Sequence, residues 1–324
     1  MMALTGNTFF FPWEVSVMEW LQARLEGLGI SVVSLFSMLG EELILILVLG
    51  LVYWGYNKRM GKTVGLSVLM GLVWNPMAKN IALRRRPYMD HESIRILRVV
   101  EPEADPMNIA AQGYSFPSGH STNAFVLFAA LARNLKKKWA LAAAILAPLL
   151  VGLSRVAVGA HYPTDVLGGW VIALLAVFLV PWLEKKIRSQ ALLYALLLIT
   201  ALPGLFYCKS ADYFSGLGLL LGFMLGTAVE EKYVRFENAR SFPRALLRVL
   251  GGAALFFALN TLLKLPFSKD FLEDGSYASL FVRCARYAVI SFLEFGAYPL
   301  TFRLGARIGN RRTPGTSSQT LPGE

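Results

Sequence analysis

The chain has 324 residues, 55% of them hydrophobic and 16% charged, and a net charge of +11. Its mean hydropathy is positive, and many apolar stretches reach the roughly 17–25 residues that a helix needs to cross a bilayer. A soluble domain around one core is excluded, because segments such as 165–183, 190–207 and 244–263 are apolar on nearly every face.

In chain order, residues 13–30 place Trp13, Val17, Trp20, Leu21, Leu25 and Leu28 at helical spacing, with Glu19, Gln22 and Glu26 elsewhere. That pattern fits a helix lying in the membrane surface, and equally a first core span. Nine spans are then expected, at about 39–57, 61–85, 119–134, 138–157, 165–184, 190–207, 213–230, 244–264 and 277–302. Glu41 and Glu42 fall at the start of the first, at the membrane interface. The predicted fold is an all-α, polytopic transmembrane helical bundle: an N-terminal segment 1–38, a core 39–185, additional transmembrane helices 186–310 and a disordered tail 311–324.

Lysine and arginine sort by loop. Lys58, Arg59 and Lys62, then Arg133 with Lys136, Lys137 and Lys138, then Lys185, Lys186 and Arg188 occupy alternate connections. Lys232, Arg235, Arg240, Arg244 and Arg248 continue the alternation, as do Arg303, Arg307, Arg311 and Arg312. Cytoplasmic loops retain positive charge, so these belong inside, and the C-terminus is cytoplasmic. The loops near 87–117 and 155–164 then face outward from a plasma or inner membrane. This distribution accounts for the net charge without a nucleic-acid partner. The first twelve residues lack a basic start and a small-residue cleavage site, so no signal peptide is expected. Cys208 and Cys284 read as buried free thiols, and no Cys/His cluster has zinc-like spacing. The acidic loop 88–116, with His91, reads as a solvated cover.

Chemistry concentrates in three strings. Lys79 and Arg86 are seven residues apart, which on one continuous helix places them on one face about 10.5 Å apart. Pro87 would end that helix at Arg86 and deliver a guanidinium suited to bidentate phosphate binding. Pro117-Ser118-Gly119-His120 opens a helix whose free N–H groups form an anion site, with Ser118 and Gly119 against phosphate oxygens and His120 at its mouth as proton donor. Ser154-Arg155 ends one span, and His161 to Asp165 begins the next. Arg155 is a third phosphate cation. His161 is the candidate nucleophile, and Asp165 fixes its tautomer.

The three strings together resemble the signature of the type 2 phosphatidic acid phosphatase superfamily, which spans lipid phosphate phosphatases and the vanadium haloperoxidases. No position of the pattern is missing, and two of only three histidines in the chain fall on its two histidine positions. The resemblance covers roughly residues 40–185. It implies a phosphatase/haloperoxidase-like core, commonly of six helices, so that residues 13–30 stand in for the first and the four helices after 185 are additional. It also implies metal-independent hydrolysis through a phosphohistidine on His161, with no cofactor and a lipid phosphate in the bilayer as substrate.

Placement of the site at helix ends suits an amphiphile. The extra charges of Arg84 and Arg85 lean toward a polyprenyl diphosphate such as the undecaprenyl carrier. Phosphatidic acid, phosphatidylglycerol phosphate and sphingosine-1-phosphate are alternatives, as is phosphoryl transfer to another lipid. A haloperoxidase is disfavoured by the spans, since such relatives are soluble. A lipid transporter using the added helices, with Arg283, Arg286 and Glu294 as intramembrane charges, is the reading from another class. The oligomeric state is not legible.

Overall fold

The computed structural model describes residues 6–25 and 27–302. The expected disordered tail and Arg303, Arg307, Arg311 and Arg312 lie outside these residues, as does Glu26. Helices α1 (Pro12–Arg24) and α2 (Leu28–Leu35) lead through a 3-10 turn to α3 (Glu42–Gly50), which continues as a π-helical turn to Tyr56. Helix α4 (Lys58–Ala82) follows, then single turns α5 (Pro87–Asp90) and α6 (Ile109–Gln112) within the long loop. Helices α7 (Gly119–Leu135), α8 (Lys138–Ala157) and α9 (Pro163–Lys186) complete the core. Beyond them run α10 (Gln190–Ala201), α11 (Ala211–Val229), α12 (Phe242–Leu262), the short α13 (Lys269–Glu273) and α14 (Tyr277–Phe292). Among the described residues there is no strand, only an isolated bridge between Asn7 and Arg84.

Each expected span coincides with a helix. Four segments, Lys138–Ala157, Pro163–Lys186, Ala211–Val234 and Phe242–Leu262, are long and apolar enough to cross a bilayer. Glu42–Tyr56 and Gln190–Phe206 are apolar but shorter, and α4 carries Lys58, Arg59, Lys62 and Lys79.

Two local expectations are corrected. The α4 helix ends at Ala82 rather than Arg86, because Leu83 turns left-handed at φ 52°. Asn7 makes that early stop possible. Its side chain donates to the Ala82 carbonyl at 2.7 Å, and its backbone exchanges hydrogen bonds with Leu83 and Arg85, satisfying groups a helix end leaves bare. Lys79 and Arg86 therefore do not share a helix face; Arg86 is extended and presented from a turn. In α1, Trp13, Val17 and Trp20 face outward while Glu14, Met18 and Gln22 are buried. This inverts the pattern of a soluble helix, as suits one whose apolar side meets lipid.

Core packing fixes the end of α7. Gly169 of α9 lies so close that a Cβ there would stand 2.6 Å from the Ser118 carbonyl oxygen. Thr122 Oγ1 accepts from Asn75 Nδ2 of α4 at 2.8 Å and lies within 3.1 Å of the carbonyls of Ser118 and Gly169. Three helices thus meet at the first turn of α7. On the far side of α4, α11 packs between α4 and α14. Gly218, Gly222 and Gly226 of α11 face α14 and its π-helical continuation, the small-residue spacing by which membrane helices approach closely. Lys58–Glu230 at 2.9 Å and Lys62–Glu231 at 2.7 Å join α4 to the end of α11.

Candidate active site

The C-terminal ends of α4 and α8 and the N-terminal ends of α7 and α9 lie on one side of the bundle, and the three strings meet there. The positive φ of Gly159, 79°, lets the chain reverse between α8 and α9, so Arg155 and His161 sit on either side of one tight turn. Asp165 follows in the first turn of α9, where it accepts the Tyr162 N–H at 2.8 Å, an arrangement that also favours a carboxylate at a helix N-terminus.

His161 is buried, with Nδ1 3.4 Å from Asp165 Oδ2 and Nε2 3.4 Å from an Arg86 NH group. The Nδ1–carboxylate approach is close enough for charge attraction but falls outside hydrogen-bond geometry. Burial lowers the His161 pKa well below its ordinary 6.5, and Arg86, Arg155, Lys79 and His120 push it further the same way. Both effects favour the neutral imidazole, and the four other groups are all within electrostatic reach of it.

Arg86 is held by the protein before any ligand arrives. Its guanidinium donates to the carbonyls of Gln112, Gly113 and Ala160 at 2.7–3.1 Å. Arg155 donates to Ser37 Oγ at 3.2 Å, while its buried Nε has no partner. The Tyr88 hydroxyl is likewise buried and unbonded, near enough to Arg86 and Arg155 to feel both. Ser118 spends its N–H on the Asp165 carbonyl, and its Oγ accepts from Ser121 Oγ and N. Only its hydroxyl proton is left for a ligand, so the open N–H groups of this turn are those of Gly119 and His120.

Several groups were misread or unread in the sequence. Arg84 stands between two buried carboxylates, 2.8 Å from Glu14 and 2.7 Å from Asp165, and over the Tyr162 ring at 3.9 Å. Glu14 also receives Thr164 through N–H and hydroxyl at 3.0 and 2.6 Å. Removing Arg84 would strand two buried charges, a loss of about 3–5 kcal/mol. Ser115 donates a further short hydrogen bond to Asp165. Arg85 pairs with Asp90 at 2.8 Å. Both arginines, which the sequence suggested as spare charge for a second phosphate, are thus ion-paired within the protein. Glu41, expected at the membrane interface, contacts His120 Nε2 at 3.3 Å and Arg98 at 3.0 Å. Arg98 comes from the acidic loop, so that segment is fastened to the site rather than merely solvated. Among the described residues no three His, Cys, Asp or Glu side chains gather as metal ligands.

Comparison with known proteins bears on this constellation. Residues 61–189 match the PAP2 superfamily, and residues 214–309 match the transmembrane extension of PAP2 superfamily phosphatases. The chain belongs to the PAP2 superfamily. The three strings lie within the first matched segment, and most of α11 with all of α12 to α14 within the second, which makes this an integral membrane PAP2 protein. Over 99 residues it is 39% identical to phosphatidylglycerophosphatase B of Bacillus subtilis, covering 28% of this chain and 48% of that protein. Identity to the undecaprenyl-diphosphatase BcrC of the same organism is 36% over 116 residues, 36% of this chain and 53% of the relative. An undecaprenyl-diphosphatase of Sulfolobus acidocaldarius is 29% identical over 143 residues, 41% of this chain and 62% of the relative. The PAP2 chain thus spans about half to three-fifths of the length of these curated relatives. No solved structure matches it significantly.

Proposed function

We propose that the protein is a lipid phosphate phosphatase acting by two in-line displacements at His161. The observation that carries this reading is the buried His161 imidazole, with Nδ1 3.4 Å from Asp165, Nε2 3.4 Å from an Arg86 NH group, and Arg155 and Lys79 within electrostatic reach. A nucleophile needs a free lone pair, and a transferring phosphoryl group needs positive charge around its equatorial oxygens. With an Arg86 N–H 3.4 Å away, Nε2 is the acceptor nitrogen, so its lone pair points toward the cations, and a bound phosphate would draw that N–H to its own oxygens.

In the first step Nε2 bonds to phosphorus, the bond from phosphorus to the lipid oxygen breaks, and His120 gives that oxygen its proton. Asp165 stabilises the positive charge left on His161. Glu41, 3.3 Å from His120 Nε2, orients the imidazole for this transfer. In the second step water attacks the phosphohistidine, His120 takes back a proton, and phosphate leaves. Arg86 is the best pre-organised cation, Arg155 and Lys79 complete the cage, and the Gly119 and His120 N–H groups with the Ser118 hydroxyl face the anion.

The substrate class is a lipid phosphate or diphosphate. The relatives' names support both phosphatidylglycerophosphate and undecaprenyl diphosphate as candidates, and the pairing of Arg84 and Arg85 removes the charge argument for the second. The distribution of loop cations supports an outward-facing site. The deciding experiment measures phosphate release by purified protein from both lipids and from phosphatidic acid. His161→Ala should lower release by at least about a thousandfold, and a base-stable, acid-labile phosphoenzyme should be trapped only while His161 is present. Undiminished turnover by His161→Ala would remove the nucleophile from the scheme.

A further inference from the structure

At the end of the bundle opposite the site, α8 and α9 diverge. Near the site they touch, with Gly152 of α8 against Val166 and Trp170 of α9, because a five-residue turn joins them there. Away from it they separate and leave a cavity of about 690 Å³ floored by α7. Its walls are apolar, with Leu141, Ile145 and Leu149 on one side and Leu174 and Phe178 on the other, and Ala129 on the floor. Its mouth is not apolar. Arg133, Lys136, Lys137 and Lys138 surround it, and the three lysines are exposed. Arg133 crosses from α7 to α9, donating to the Val177 carbonyl at 3.3 Å and lying over Phe178 at 5.3 Å. The seventeen residues of α7 set this mouth roughly 25 Å from Ser118.

We propose that this groove binds one anionic glycerophospholipid from the leaflet opposite the active site. The headgroup phosphate lies on Lys136, Lys137 and Lys138, and an acyl chain fills the space between α8 and α9. Charge complementarity selects the occupant: a zwitterionic lipid would satisfy the walls equally but would gain little from three adjacent ammonium groups. Basic pockets between membrane helices bind anionic headgroups on these grounds. Small Ala129 and Ala144 leave the volume, and the close Gly152–Val166 contact closes its inner end. Bound there, the lipid would stand in for the protein packing that α8 and α9 lack, and so set their angle.

The test uses the full chain in nanodiscs of equimolar phosphatidylcholine and phosphatidylglycerol, with retained lipids counted by native mass spectrometry. One phosphatidylglycerol should be retained about tenfold over phosphatidylcholine. The triple variant Lys136→Gln, Lys137→Gln and Lys138→Gln, confined to exposed positions, should bring the two lipids to parity. Ile145→Trp, which fills the groove and leaves the charges, should lose the bound lipid. Parity in the unaltered protein, or preference surviving the triple variant, overturns the site. Undiminished retention by Ile145→Trp also overturns it, since the loop charges would then be binding any anionic surface. Retention is read without turnover, so the result stands apart from the proposed hydrolysis.

Discussion

His161 and His120 each face a carboxylate, yet the two pairs are built differently. Around His161 everything is buried: Asp165 is held by Arg84, Ser115 and the Tyr162 N–H, and Arg84 is held in turn by Glu14. Around His120 the imidazole and Glu41 are partly exposed, and Glu41 has one other anchor, Arg98. The difference follows from the two proposed tasks. A nucleophile gains from one fixed orientation and a dry setting, while a group that passes protons to a lipid oxygen and from water must stay within reach of water.

The comparison can be broken at either carboxylate. Asp165→Asn should cost most, about a thousandfold or more in kcat, because an amide no longer selects the His161 tautomer; equal activity would place the burden elsewhere. Glu41→Gln should cost about ten- to a hundredfold, with thermal stability unchanged and the pH profile shifted, which separates a positioning role from a structural one. Acidity sharpens the contrast further. With the His161 pKa depressed below 6.5, the acid limb of kcat/KM due to this group should fall below that pH, and a limb at or above it would contradict the burial argument. The sign for stability is the same. The unfolded chain takes up a proton near 6.5 and the folded one does not, so the benefit of a neutral His161 is full above that pH and is drawn down as pH falls toward the folded value. Smallest of all should be Arg85→Gln, whose charge is already engaged by Asp90 in a largely buried ion pair. It should leave the ratio of diphosphate to monophosphate turnover within about twofold, and a selective loss on the diphosphate would restore the charge argument.

Much of this was legible because the site residues lie in short strings with local signals: a serine before a helix, a proline after an arginine, a histidine four residues ahead of an aspartate. What was not legible depends on distant partners. Arg84 looks like ligand-binding charge within Arg84-Arg85-Arg86-Pro87, and only the fold brings Glu14, seventy residues earlier, against it. Glu41 resembles an interfacial residue until the 3-10 turn at Phe36–Gly40 and the helix behind it carry it to His120. The early end of α4 was hidden for the same reason, since it depends on Asn7 rather than on Pro87. The helices after residue 185 were visible as helices, but no periodicity could reveal how closely the α11 glycines seat α14.

Glu14, Ser37 and Glu41 all precede residue 61, where the recognised PAP2 segment begins. A chain trimmed to that segment would keep every residue of the three strings while losing the anion that neutralises Arg84, the hydroxyl on Arg155 and the carboxylate beside His120. Glu14, Ser37 and Glu41 thus form part of the wall of the proposed site, and substitutions at these three positions belong with substitutions in the three strings.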